Sequence, residues 1–266
     1  MGGFGKFIVA AAAPLMLGGC LWGPGKFTSD LALRKNGIFV LDYRGEIMLQ
    51  LPEDKDQAAG PWNDSMLACT EEDQPEKARP CTREEIAEAK ANHERQQAEK
   101  RDENAKMAKL FGLPGSDDES NKRFAAQLMK YQGWRSVTYR GKGLFDVDYH
   151  FEGHVGQDYV FPMMPDSDIV IPFIAIRRRV DGSVMVTAPA LTGGSGPFGA
   201  RAKMLNLPDK SDGPPSRAEG RFTITTDGEI LTNNSEDGPV AGSSGKSVRW
   251  DVSPASNKIP EMLVRF

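Results

Sequence analysis

Hydrophobic and polar positions change their rhythm several times along this chain, and each change marks an element. Residues 7–17 are almost wholly apolar after the single cation Lys6. That run is too short to cross a bilayer as a lone helix, and it suits the central segment of a signal peptide. Residues 28–33 and 37–51 read as extended, with Asn36-Gly37 between them. This dipeptide supplies the positive φ angles of a tight hairpin turn. In the second segment Phe39, Leu41 and Tyr43 share one face and Ile38, Val40 and Asp42 the other, which predicts a strand buried on one side and partly covered on the other.

The pattern then turns helical. Thr82 and Glu85 stand at capping-box spacing, and residues 82–111 contain no Gly or Pro and are rich in Ala, Glu, Lys and Gln, predicting one long helix. Its large apolar residues are few, mainly Ile86, Met107, Leu110 and Phe111, so its middle is expected to project into solvent or meet a partner. A break at 112–116 precedes a second helix, capped by Ser116 or Asp117, with Phe124, Leu128 and Tyr131 as a core-facing stripe. Past Gly133 the chain reads as strands at 134–140, 144–155, 169–180, 183–189, 221–226, 229–233, 246–252 and 262–266. Asp181-Gly182 and Asp227-Gly228 predict two further hairpins. Gly, Ser and Pro clusters at 193–199 and 209–216 read as surface loops. The expectation is an α+β fold, with an N-terminal hairpin and two helices accompanying a mostly antiparallel C-terminal sheet.

The start of the chain carries a modification signal as well as a pattern. Leu17-Gly18-Gly19-Cys20 matches the bacterial lipobox, which makes residues 1–19 a signal peptide and Cys20 the acceptor of diacylglycerol and palmitate. Residues 20–27, with Gly23, Pro24 and Gly25, are expected to be the lipid attachment and a short tether, and 28–266 an α+β envelope domain. Leu21 rather than Asp after the cysteine fits transfer to the outer membrane, facing the periplasm. The net charge is -4, and loss of Lys6 makes it more negative, so nothing favours nucleic acid as a partner. Of the three cysteines, lipidation of Cys20 leaves Cys69 and Cys81, which export directs toward a disulfide.

Candidate chemistry concentrates on one strand. Asp146, Asp148, His150, Glu152 and His154 occupy alternate positions, so a strand puts every ionisable group on one face. That face is a solvated exterior by default. It also yields the alternative function, a metal-dependent hydrolase using Asp148, His150 and Glu152, because neighbours on a face stand about 6.6 Å apart. His150 and His154 stand about 13 Å apart and do not meet on one ion. Gly245-Lys246-Ser247 lacks the upstream glycine of a phosphate loop, since Val240 occupies its place. Gly193-Gly194-Ser195-Gly196 lacks the second glycine of a nucleophile elbow, Pro197 standing there. Arg177, Arg178 and Arg179 form the one compact basic run, able to meet lipid headgroups or an acidic partner. Phe266 is expected as a buried residue of the last strand.

The lipobox, the opening hairpin around Asn36-Gly37, and the segments Thr223-Ile224-Thr225-Thr226-Asp227-Gly228-Glu229-Ile230 and Val248-Arg249-Trp250-Asp251-Val252 together resemble bacterial envelope lipoproteins of the LppM-like group. The resemblance covers the start and the closing sheet, not the 69–81 loop or the long helix. It implies envelope interaction or a surface-associated role, with no catalytic residues and no cofactor. The reading is therefore a lipid-anchored, noncatalytic interaction or scaffold module, held to the membrane through Cys20 and meeting an envelope protein or lipid.

Overall fold

The computed structural model describes residues 22–49, 62–63, 67–71, 74–110, 114, 117–163, 172–193 and 216–266. Residues 1–19, expected as a signal peptide, Cys20, the end of the second segment at 50–51, residues 169–171, the elbow-like Gly194-Ser195-Gly196 and the loop at 209–215 lie outside them, as do the side chains of Met107, Leu110 and Phe111.

Two strands open the fold, β1 (Trp22–Leu33) and β2 (Ile38–Leu49). They pair antiparallel from Leu33↔Phe39 outward, and the turn closes with Gly37 at φ 82°. Strand β1 starts six residues earlier than the turn signals imply. Residues 22–27, expected as part of a tether, are instead sheet, and Trp22 is buried in it. Trp22 sits 5.4 Å, ring to ring, from both Phe124 and Phe145; that aromatic contact outweighs the local Gly and Pro preference for loop.

Next come a short hairpin, β3 (Cys69–Glu71) and β4 (Gln74–Arg79), then α1 (Arg83–Leu110) and α2 (Asp118–Leu128). Asp117 caps α2, its side chain accepting from Ser120 N at 2.8 Å. Phe124 and Leu128 are buried as their spacing predicts, but Tyr131 is 46% exposed. The helix ends at Leu128 with Met129 as its C-cap, so the seventh position has left the helical stripe.

The remaining strands are β5 (Trp134–Gly141), β6 (Leu144–His154), β7 (Tyr159–Phe161), β8 (Ile174–Arg178), β9 (Val184–Thr187), β10 (Glu219–Thr226), β11 (Glu229–Asn233), β12 (Val240–Gly242), β13 (Gly245–Val252) and β14 (Glu261–Arg265). A seven-stranded sheet runs β12-β13-β10-β1-β2-β6-β5 and a five-stranded sheet β11-β14-β9-β8-β7. This overturns the α+β expectation: among the described residues the molecule is mostly β, and the N-terminal hairpin is the middle of a mixed sheet. β1 pairs parallel with β10 from Lys26↔Glu219 to Leu33↔Thr226. Alternation along a strand names its buried face but not its neighbours, so pattern alone does not say that the first and tenth strands meet.

The Asp227-Gly228 hairpin is also overturned. β10 already has β1 and β13 as partners, so β11 crosses to the second sheet and pairs with β14. The turn is a corner between sheets. By contrast, Asp181-Gly182 does join β8 and β9 as a hairpin.

The two sheets face each other across one core. From the large sheet come Phe39, Leu41, Tyr43, Phe145 and Tyr149, and from the second sheet Phe161, Ile174, Ile176, Val186 and Val264, all buried. The layers are joined by rings: Tyr43–Phe161 at 5.0 Å, Phe39–Tyr159 at 4.9 Å and Tyr149–Phe161 at 4.6 Å. Burial of this much aromatic surface is the main stabilising term. Two phenols inside it satisfy each other, the hydroxyls of Tyr149 and Tyr159 lying 2.7 Å apart. Burial raises both above the ordinary phenol value, Tyr159 the more strongly, so they stay neutral hydrogen-bonding groups.

Candidate functional site

Three places carry the polar features singled out in the sequence: the outer face of the large sheet, the stapled base of α1, and the ends of the strands.

On the outer face, residues of β6 at even positions point away from the core, as their alternation requires. Neighbouring strands answer them in register: Asp42↔His150, Arg44↔Asp148 and Glu46↔Asp146. His150 Nδ1 lies 2.8 Å from Asp42 Oδ1. Arg44 Nε donates to Asp148 Oδ2 at 3.3 Å, and Arg140 to Asp146 Oδ2 at 2.9 Å. Asp148 Oδ1 is buried without a hydrogen-bond partner among the described residues. Glu152 stands opposite Val40, and His154 Nδ1 accepts from Gly156 N. The three proposed metal ligands are thus on one face but turned to different partners, Asp148 to an arginine and His150 to an aspartate. They do not appear among the described groups of three whose ligand atoms lie within 4.8 Å of one another. These are cross-strand pairs of a solvated face, each worth a fraction of a kcal/mol when exposed.

Among the described residues the one such group joins Cys69, Cys81 and Glu85, and its atoms are already committed. Cys69 and Cys81 form a disulfide with Cα atoms 5.3 Å apart, as the sequence reading expected of this pair. It closes the hairpin onto the start of α1, where Thr82 and Glu85 make the reciprocal capping box: Thr82 N donates to Glu85 Oε2 at 2.8 Å, and Glu85 N to Thr82 Oγ1 at 3.2 Å. Arg79 clamps the same carboxylate with both terminal nitrogens. The hydrogen bonds from Arg79, then that from the Thr82 backbone, lower the Glu85 pKa to about 2. Capping spacing reveals Glu85 in the sequence. Arg79 has no such signal, because its reach to Glu85 depends on the hairpin bringing it alongside the helix start.

Reduction of this disulfide is expected to loosen the base of the arm and leave the sheets intact. A loop of this size implies a local loss of about 2–3 kcal/mol. Hydrogen exchange should show faster exchange at 74–86 with dithiothreitol and unchanged protection in β1, β2 and β6. Equal loss of protection in the large sheet would contradict that separation.

Among the described residues, α1 beyond its base packs against neither sheet extensively. Its described side chains are all exposed or half-covered, none buried. Half-covered positions include Ile86, Ala89, His93 and Gln97, a single stripe, and Trp62 lies 5.5 Å from the His93 ring. Among the described residues no helix is long and apolar enough to cross a membrane.

No protein-family model matches the chain, and no curated protein matches it. Among solved structures it has a likeness to the folded domain of Mycobacterium tuberculosis LppM, at 9% sequence identity and a TM-score of 0.28, covering 95% of this chain and 94% of that one. At that level the likeness carries no argument, and function is argued from this chain's own residues.

Proposed function

We propose that the protein is a lipid-anchored envelope protein acting as a noncatalytic interaction or scaffold module, with Cys20 as its acyl-bearing residue and α1 as its reaching element. The observation that carries the reading is α1 itself: 28 residues, about 42 Å long, with no described side chain buried and a base fixed by a disulfide, a capping box and an arginine clamp. An isolated polar helix gains little from packing. Such a base keeps a poorly packed helix attached and directed, which is what an arm presented to a partner requires. On the polar face around His150, the alternative ligands Asp148 and His150 are turned to Arg44 and Asp42 rather than to one another.

Cys20 lies two residues before the first strand, so no more than about 7 Å of extended chain separates it from Trp22. Under this reading the domain is seated directly on its membrane, without a spacer. Growth with labelled palmitate should yield labelled protein in the membrane fraction, and Cys20→Ser should abolish the label. A wild-type chain left unlabelled and unprocessed would remove the lipoprotein reading. Photocrosslinkers at Glu88 and Glu94 should give defined adducts in membranes where one at Glu152, on the sheet face, gives none; the reverse pattern would move the interaction from the arm to the sheet.

A further inference from the structure

We infer that the tip of the β8–β9 hairpin, Arg178-Arg179-Val180, is a docking point for an anionic lipid surface. Val180 is 109% exposed, the most exposed of the large apolar side chains among the described residues. Hairpin tips ordinarily carry polar turn formers, and here an apolar side chain stands at the apex with arginines immediately before it.

The tip is held rigid. Arg179 N donates to Ser183 O at 2.8 Å and Gly182 N to Arg179 O at 3.0 Å. Asp181 accepts from Ser183 N and from its hydroxyl, so the one carboxylate of the turn, exposed and also under the charge of Arg179, is held by Ser183. Arg177 leans toward Asp158, 4.0 Å away, while Arg178 forms no ion pair among the described residues. The next strand end adds Arg265, 3.7 Å from Glu229, and Phe266, which is 36% exposed rather than buried as its terminal-strand position suggests. A guanidinium is planar, weakly hydrated and matched to phosphate oxygens, so the pole offers phosphate-binding groups around an apolar point.

A lipid surface fits this better than a protein. The tip is convex and its apolar part is essentially one side chain, far short of the roughly 1,000 Å² that a specific protein interface buries. Headgroups conform around a point, and Arg178, without an ion pair among the described residues, together with its neighbour Arg179 gives useful, salt-sensitive attraction to an anionic bilayer.

Its placement gives the contact a direction. Lys35 N bonds Asp227 Oδ1 at 2.8 Å, Gly228 lies against Arg265 O and the Phe266 ring, and Arg265 acts electrostatically on Asp181. The tip therefore belongs to the pole where β1 ends. That is about 36 Å from Trp22, where β1 begins beside Cys20. Resting on the lipid-anchor reading in this one respect, the contact would reach an anionic surface facing the membrane that holds Cys20.

The test separates the two claims. Residues 20–266 carrying Cys20→Ser contain the whole described fold and have no acyl anchor. They should sediment with vesicles containing phosphatidylglycerol but not with pure phosphatidylcholine, and 0.5 M salt should release them. Arg178→Glu with Arg179→Glu, and separately Val180→Asp, should each weaken that binding by about tenfold or more with unchanged melting, while Arg221→Glu on the outer sheet face should not. Absence of binding to the anionic vesicles, or binding indifferent to the tip variants, would overturn the proposal whatever the palmitate experiment on Cys20 reports.

Discussion

Truncating Phe161 to alanine is expected to destabilise the protein by about 3–5 kcal/mol, the range for removal of a fully buried phenylalanine whose surroundings cannot collapse. Phe161 is 0% exposed and is one of the rings through which the second sheet reaches the first. It contacts Tyr43, Trp134, Tyr149 and Phe173 at centroid distances of 5.0, 6.0, 4.6 and 5.9 Å. Those neighbours come from four different strands or strand ends, so no single shift fills the void. Urea denaturation of the unacylated chain, followed by Trp fluorescence, should show a lower midpoint with little change in slope. A loss below about 1 kcal/mol would mean that the sheets pack otherwise than described. Val180→Ala at the exposed tip is the control and should leave the midpoint where it was.

Gly45→Ala is expected to cost about 2–4 kcal/mol, combining a strained backbone with a backbone collision. Gly45 has φ 141°, and a Cβ built on it meets Lys26 O at 2.2 Å and Phe27 Cα at 2.6 Å. The register of β1 on β2 shifts between Pro24 and Phe27, so the chain passes closest to Gly45 where it bulges. Neither of those atoms belongs to a flexible side chain; relief requires moving β1, which also carries the parallel pairing with β10. Gly182→Ala separates the two contributions: its φ is 82° but nothing lies within 4 Å of the added carbon, so about 1 kcal/mol of conformational cost is expected. Equal losses at the two positions, measured in the same urea titration, would show that the contact with β1 is not the cause.

Much of the local structure could be read directly. Asn36-Gly37 and Asp181-Gly182 announce their turns because positive φ is a property of single residues. Thr82 with Glu85 announces the start of α1 because a capping box is closed by four consecutive residues. The even-numbered run from Asp146 to His154 lies on one outer face because side chains alternate along any strand. The cysteine pair follows from counting, once Cys20 is assigned to lipid. Each of these depends on neighbours in the chain and so is written in the chain.

What the tertiary structure alone decided are the relations between distant segments. Residues 22–27 have the composition of a tether, yet they are strand because Trp22 finds Phe124 and Phe145. Asp227-Gly228 has the form of a hairpin turn, yet β10 is already flanked by β1 and β13, and β11 must leave for the other sheet. The ligand-like row Asp148, His150 and Glu152 is divided by partners on β2, which sequence spacing on β6 does not foresee. Periodicity specifies which side of a strand is buried, whereas the choice among equally apolar partners is settled by packing over the whole core. That choice turned an expected α+β chain into two facing sheets with a helical arm.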